Sequence, residues 1–320
     1  MTEITHRTIT TNGVDLFIAE AGEGPLVVLS HGWPECWYSW RHQLTALAEA
    51  GFHAVAPDQR GYGRSTCPPE IDDYTIMHLV GDLVGLVEEM GETEATLVGH
   101  DWGSIITWAA AQLRPDVFTK IAVLSVPTLP RRPMRPMDMY RQLFGDRFFY
   151  QLYFQTPGVA EHEFQNDIPS TIRKMLYGAS GVNERTQMFD LTDSPPATNF
   201  MLQSMADPGD DIGDWVTPAD VDYFVESFEL SGFRGGLNWY RNLDRNWELM
   251  GAMAGRKIEQ PTMFITGDRD VVPWNDDFEA GMRSVVPGVE QIHVLPGIGH
   301  WTQQEAADDV NRLLVSFLTG

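Results

Sequence analysis

Asp101 stands in Gly99-His100-Asp101-Trp102-Gly103, behind the short apolar run Ala95-Thr96-Leu97-Val98 and ahead of Ser104 to Ala111, which can form an amphipathic helix. Small neighbours at Gly99 and Gly103 permit a sharp strand-to-helix turn that pushes the carboxylate out at the helix N-terminus. A serine there would acylate on esters or amides. A carboxylate suits displacement of a leaving group from saturated carbon, with an alkyl ester on the enzyme as the intermediate. The substrates of that chemistry are strained ethers and alkyl halides. Capping of the following helix is the plainer use of an aspartate at this place.

An ester on Asp101 must be hydrolysed, which requires a base and an oxyanion site. His300, in Pro296-Gly297-Ile298-Gly299-His300-Trp301, is the candidate base, with a packed core histidine beside Trp301 as the alternative. The acid that would orient it lies in Gly267-Asp268-Arg269-Asp270; Asp270 is preferred as deeper in the loop, and Asp268 is the alternative. Nucleophile, acid and histidine each fall just beyond a predicted strand. In His31-Gly32-Trp33-Pro34-Glu35 the glycine turn would aim the Trp33 N–H into the site, and the Trp102 N–H would complete the pair. Pro34 has no N–H to give. Glu35 would orient water, bind the backbone of this loop, or start a helix. The other histidines, such as His42, His53, His78 and His162, show no ligand spacing, so neither metal nor cofactor is expected.

These residues need a scaffold that gathers chain turns at one edge. Thr11-Asn12-Gly13-Val14 reads as a hairpin turn between two short strands, and Pro25 to Ser30 as a buried strand ending at His31-Gly32. Then come a helix over Ser39–Glu49, a strand over His53–Pro57, a helix over Thr75–Met90, and strands over Ala95–Val98 and Lys120–Ser125. That alternation predicts an α/β architecture, a mostly parallel central sheet with helices on both faces. The pattern breaks at Pro127 to Pro133, and a stretch rich in aromatics and Met runs with helical periodicity to about Leu249. It resumes with strands over Thr262–Thr266 and Gln291–Leu295, a helix over Phe278–Val285 and a last helix over Gln303–Leu318. The expected organisation is a core in two parts, residues 1–129 and 250–320, with a helical cap inserted at 130–249. Met134, Met137, Met139, Phe144, Phe148 and Phe149 of the cap predict an apolar pocket or, at this spacing, ordinary core.

Composition narrows the partners. With 45 Asp and Glu against 22 Lys and Arg, the net charge of −23 opposes nucleic acid and anionic membrane. Two cysteines, Cys36 and Cys67, make no disulfide framework, and Met1 to Arg7 is polar without an apolar signal region, so a reducing cytoplasm is expected. Apolar stretches such as Leu79 to Val84 are broken by charge, so no membrane insertion is expected. A homodimer is compatible with everything above.

His31 to Glu35, Trp37-Tyr38-Ser39-Trp40-Arg41, Asp58 to Ser65, Gly99 to Gly103 and Gly299-His300-Trp301 together resemble the motif set of soluble epoxide hydrolases of the α/β-hydrolase fold, over nearly the whole chain. Haloalkane dehalogenases share the aspartate and even His-Asp-Trp-Gly, and the cap separates the two. Phe149 to Glu161 and Ser231 to Asn242 match the segments that carry the family's two cap tyrosines, and the resemblance assigns that role to Tyr150 and Tyr240. Tyr153, one helical turn on, is the alternative to Tyr150. Opening a strained ether leaves an alkoxide, and a phenol of pKa about 10 is a suitable proton donor, whereas an alkyl halide has no such need. The resemblance implies a small apolar epoxide as substrate, a vicinal diol as product and no cofactor. Nothing matches the N-terminal phosphatase domain of the animal enzymes, so the hydrolase activity alone is implied. A dehalogenase using the same Asp/His/Asp set, or a non-catalytic ligand receptor on this fold, are the other readings.

Overall fold

Asn12 and Gly13, at positive φ (47° and 78°), turn the chain between β1 (Thr5–Thr11) and β2 (Val14–Ala21), which pair antiparallel with Thr11 opposite Val14. The computed structural model describes residues 3–183, 200–209 and 211–320; Met1, Thr2 and the remaining part of the expected cap lie outside the described residues. Six more strands follow: β3 (Leu26–Ser30), β4 (His53–Pro57), β5 (Ala95–His100), β6 (Phe118–Leu124), β7 (Thr262–Gly267) and β8 (Val289–Leu295). The sheet order is β1-β2-β4-β3-β5-β6-β7-β8, with β3 through β8 mutually parallel and the first two strands antiparallel at one edge.

Alternate strand residues divide the core between two faces. Val28, Val55, Leu97, Ile121 and Phe264 pack with Leu79 and Leu83 of the helix Ile76–Glu89 and Ile106 of the helix Trp102–Leu113. Val27, Ala54, Val98, Ala122 and Met263 pack with Leu44 and Leu47 of the helix Arg41–Glu49 and with Leu314 and Phe317 of the helix Ala307–Thr319. Helices on both faces leave β3 and β7 buried along their whole length, as central parallel strands require.

Two expected helices differ in detail. The one expected from Ser39 opens as a 3₁₀ turn, Trp37–Trp40, before Arg41–Glu49 becomes α-helical. The last one is broken at Ala306 (φ −123°, ψ 45°) into Thr302–Glu305 and Ala307–Thr319. Just before the break, the Glu305 carboxylate turns back to accept the N–H groups of Gly181, Gly299 and Trp301 at 2.8, 3.0 and 3.1 Å. Between β6 and β7 the described residues carry no strand; they form helices at Pro136–Phe144, Tyr150–Tyr153, Val159–Gln165, Ile168–Ala179, Pro218–Ser231, Arg234–Arg241 and Leu243–Leu249.

The chain leaves β3 for β4 on one side and returns in β5 on the other. At that reversal the two connections diverge, and a crevice opens beyond the carboxyl ends of β3 and β5. Its walls come very close. A Cβ on Gly103 would sit 1.9 Å from the Ser30 carbonyl oxygen, and one on Gly99 would sit 2.2 Å from the Gly103 oxygen. Both obstacles are backbone, which cannot swing aside. Gly103→Ala is therefore expected to destabilise the fold by about 3 kcal/mol, the upper range for overpacking. Thermal denaturation checks it, and an unchanged midpoint would show that this crevice tolerates a wider spacing.

Candidate active site

Asp101 is the first residue past β5 and holds φ 52°, ψ −117°, a positive φ that costs a non-glycine residue about 1–3 kcal/mol. That geometry lifts its carboxylate over the start of the helix Trp102–Leu113. Oδ1 accepts the Trp33 N–H at 2.7 Å, and Oδ2 lies 3.4 Å from His300 Nε2. The Trp102 N–H opens the same helix and so has no intrahelical acceptor. His300 Nδ1 is 2.8 Å from Asp270 Oδ1, which also accepts the Val272 N–H at 2.8 Å. Asp268 faces elsewhere and accepts the Gly297 N–H at 2.7 Å. Asp101, His300 and Asp270 thus form one line, with the Trp33 N–H at its far end.

Tyr150 and Tyr240 come from the helices Tyr150–Tyr153 and Arg234–Arg241, with ring centroids 5.8 Å apart. Both line a narrow cavity of about 60 Å³ together with Asp101, His300 and Trp33. Tyr153 does not line it: its hydroxyl donates to Glu163 Oε2 at 2.8 Å. The rest of the wall is apolar, with Met175, Met201, Met205, Val271, Val272 and Trp301. None of the six Met and Phe residues expected for a pocket is among them. Met137, Phe144 and Phe149 are core, Phe144 and Phe149 stacked at 4.1 Å, and Met134 is exposed. The Trp33 ring packs between Phe154 (5.1 Å) and Tyr240 (5.7 Å), so its backbone and side chain serve different ends.

Glu35 is fully buried and belongs to the loop rather than to a helix start. It accepts the Gly32 N–H at 2.8 Å, faces His100 Nδ1 at 2.8 Å and accepts from Gln303 Nε2 at 2.9 Å. His31 supports the same turn, with Nδ1 2.9 Å from the Gly32 carbonyl and Nε2 accepting the Gln59 N–H at 3.1 Å. Sequence reasoning missed three supports of the His300 loop. His100 Nε2 lies 2.7 Å from the His300 carbonyl, the Ser125 hydroxyl donates to that carbonyl at 3.0 Å, and Glu305 accepts the N–H groups on either side of His300. The signals were faint: a histidine inside the Asp101 motif, and a glutamate one helical turn past Trp301.

Residues 25–307 match a family described as the alpha/beta hydrolase fold. Epoxide hydrolase A of Mycobacterium tuberculosis is 42% identical, the match covering 99% of this chain and 98% of that one. Epoxide hydrolase 1 of Siraitia grosvenorii is 41% identical, with 99% of each covered. The crystal structure of epoxide hydrolase A from Mycobacterium thermoresistibile superposes with a TM-score of 0.92 at 43% identity, covering 99% of both chains. The chain belongs to the α/β-hydrolase fold family, alongside these epoxide hydrolases. Among the described residues no helix is long and apolar enough to cross a membrane, and no group of three or more His, Cys, Asp or Glu is placed to hold a metal ion.

Charge in this α/β-hydrolase site follows from burial and neighbours. Burial alone would lower His300, but the carboxylates of Asp270 and Asp101 outweigh it and hold the imidazole well above the ordinary histidine value. Burial opposes charge on Glu35 too; His100, the Gly32 N–H and His31 overcome it and hold the carboxyl at about 2. Burial takes His31 down to about 4, so it stays neutral. Burial, with the negative charge of Asp101 adding to it, raises both Tyr150 and Tyr240, so the phenols keep their protons at neutral pH. Removing the Asp101 charge withdraws one of the two anions that favour the imidazolium. His300 in Asp101→Asn is accordingly expected to titrate lower than in the wild type, and NMR titration of the imidazole reads it. An unchanged value would leave Asp270 alone responsible for the elevation.

Proposed function

We propose that the protein hydrolyses small apolar epoxides to vicinal diols through an ester on Asp101. The observation that carries the reading is the meeting, in one apolar cavity, of the Asp101 carboxylate with two protonated phenols, Tyr150 and Tyr240, opposite the Asp101–His300–Asp270 line. The names of the relatives support it. In this reading residues 130–249 are a cap that brings the tyrosines to a core made of residues 1–129 and 250–320, in a reducing cytoplasm where Cys36 and Cys67 stay thiols. A homodimer would be read by sedimentation.

Asp101 Oδ1 is held by the Trp33 N–H, so Oδ2 is the oxygen that attacks an epoxide carbon. The carbon–oxygen bond breaks as Tyr150 and Tyr240 share donation of a proton to the departing alkoxide. The new ester no longer carries the Asp101 charge, so the His300 pKa falls; the imidazolium gives its proton through solvent to the tyrosinate left by ring opening and becomes the neutral base the next step needs. His300 Nε2 then takes a proton from a water that attacks Asp101 Cγ, while Asp270 supports the resulting imidazolium. Oxyanion charge on Oδ1 develops against the Trp33 and Trp102 N–H groups. Collapse breaks the bond from Cγ to the alkyl-bearing oxygen; the departing alkoxide takes the proton of the new carboxyl and leaves as the diol, which restores the Asp101 carboxylate beside a His300 imidazolium and protonated tyrosines. His31, Gly32, Pro34 and Glu35 shape the loop that carries the Trp33 donor.

The phenols decide between this and dehalogenation, because halide departure gains nothing from a proton donor. Diol formation on a panel of aryl and alkyl epoxides is expected, without halide release from a chloroalkane. The reverse outcome would assign the dehalogenase reaction, and no turnover on either would leave a ligand receptor.

The half-reactions separate in His300→Gln. It is expected to alkylate and stall, gaining one substrate mass by intact-mass spectrometry, with the adduct on the Asp101 peptide. Loss of diol without an adduct would remove the two-step mechanism. Each of Tyr150→Phe and Tyr240→Phe is expected to slow that alkylation about 10²-fold, the usual worth of one proton donor, read as the single-turnover rate. Full activity in Tyr240→Phe would shift donation to another group.

A further inference from the structure

A second cavity, about 470 Å³, shares no wall with the first. It lies where the chain passes between the sheet domain and the helices inserted after β6. Thr128–Pro133, on the way out, forms one wall, and Met250–Lys257, on the way back to β7, forms the other. Four of its lining residues are cationic, Arg131, Arg132, Arg256 and Lys257, and none is acidic. In a chain with 45 acidic and 22 basic residues this is the reverse of the average surface.

The four cations are held without being neutralised. Arg131 lies over the Trp247 ring at 3.7 Å and donates to the Trp247 carbonyl, and Lys257 donates to the Ser284 carbonyl. Among the described residues the Arg132 and Arg256 side chains reach only thioether sulfurs, of Met139 at 3.0 Å and Met253 at 3.8 Å. Other nearby arginines behave otherwise: Arg135, three residues past Arg132, pairs with Glu248, and Arg283, next to the lining residue Ser284, pairs with Glu279. Among the described residues none of the four has a carboxylate at ion-pair distance. An arginine has five donors in a planar fork and none of these uses more than a fraction of them.

We propose that this cavity binds a small free anion carrying two phosphoryl groups, and that the bound anion ties the two chain crossings together. Each phosphate carries about −1.5 to −2 at neutral pH, so two match four cations. The guanidinium forks of Arg132 and Arg256 suit its oxygens. The net charge of −23 sets the protein against an anionic bilayer, which favours a free molecule over a lipid headgroup.

The test uses the whole chain with inorganic pyrophosphate, read by isothermal titration calorimetry and by thermal denaturation against sodium chloride at matched ionic strength. Saturable one-to-one binding and a rise in Tm that chloride does not reproduce are expected. In R132A/R256A the affinity should fall at least tenfold while epoxide turnover, which these exposed residues do not touch, stays unchanged and certifies the fold. No saturable binding, a Tm rise equalled by chloride, or full affinity in R132A/R256A would overturn the site. Vesicles containing phosphatidic acid should leave the protein in the supernatant; co-sedimentation that R132A/R256A abolishes would overturn the free anion in favour of a lipid.

Discussion

The structure turns on how closely β3 and β5 bring their carboxyl ends together. Ser30 pairs with Gly99 in parallel register, and immediately past that pair the two chains must bend apart without losing contact. Space for it exists only because three side chains are missing. A Cβ on Gly32 would lie 2.4 Å from Asp101 Cβ, one on Gly99 would meet the helix that starts at Trp102, and one on Gly103 would meet the end of β3. With those atoms absent, the Trp33 N–H reaches Asp101 Oδ1 as a direct hydrogen bond. Backbone approach thus brings the Trp33 N–H within direct reach of the Asp101 carboxylate, with only that short side chain between the two turns.

His300 is positioned by a different principle, suspension between separate parts of the chain. Its N–H donates to the Ala179 carbonyl at the end of the helix Ile168–Ala179, while its own carbonyl receives the Ser125 hydroxyl and the Thr302 N–H. Glu305 accepts N–H groups from Gly299 and Trp301 on either side, and from Gly181 beyond that same helix. A movement of the inserted helices would therefore move His300 as well as Tyr150 and Tyr240. The buried Glu35 joins this frame to the β3 turn through His100, whose other nitrogen faces the His300 carbonyl. One connected network holds both the His300 loop and the turn that carries the Trp33 N–H.

Much of this was legible in the sequence because strand ends and glycine turns are local signals. The strand at His53–Pro57 falls on the residues expected, the Asn12-Gly13 hairpin forms, and Asp270 rather than Asp268 meets His300. What was not legible depends on contacts far apart in the chain. His100 and Ser125 lie 200 and 175 residues from the carbonyl they hold, and no periodicity reports such a meeting. Met134 to Phe149 leave pocket and core both open in the sequence for a related reason. Helical spacing tells which residues share a face, but whether that face meets a core or a cavity depends on how the inserted helices pack, and Met175, Met201 and Met205 won the cavity while Met137 went to the core.

Strain gives the last step. Asp101, at φ 52°, and Ser125, at φ 71°, are non-glycine residues at positive φ just past adjacent parallel strands. One carries the carboxylate and the other anchors the His300 carbonyl, so both ends of the Asp101–His300 contact rest on backbone held away from its preferred basin. Each such residue costs about 1–3 kcal/mol. Glycine would relieve much of that cost at either position, and it would remove the carboxylate in one case and the hydroxyl anchor in the other. The strained conformation is tolerable because β5 and β6 are packed on both faces and cannot relax to release it. The buried sheet thus does more than support the site: its rigidity keeps the two conformations in register, and with them the distance between Asp101 and His300.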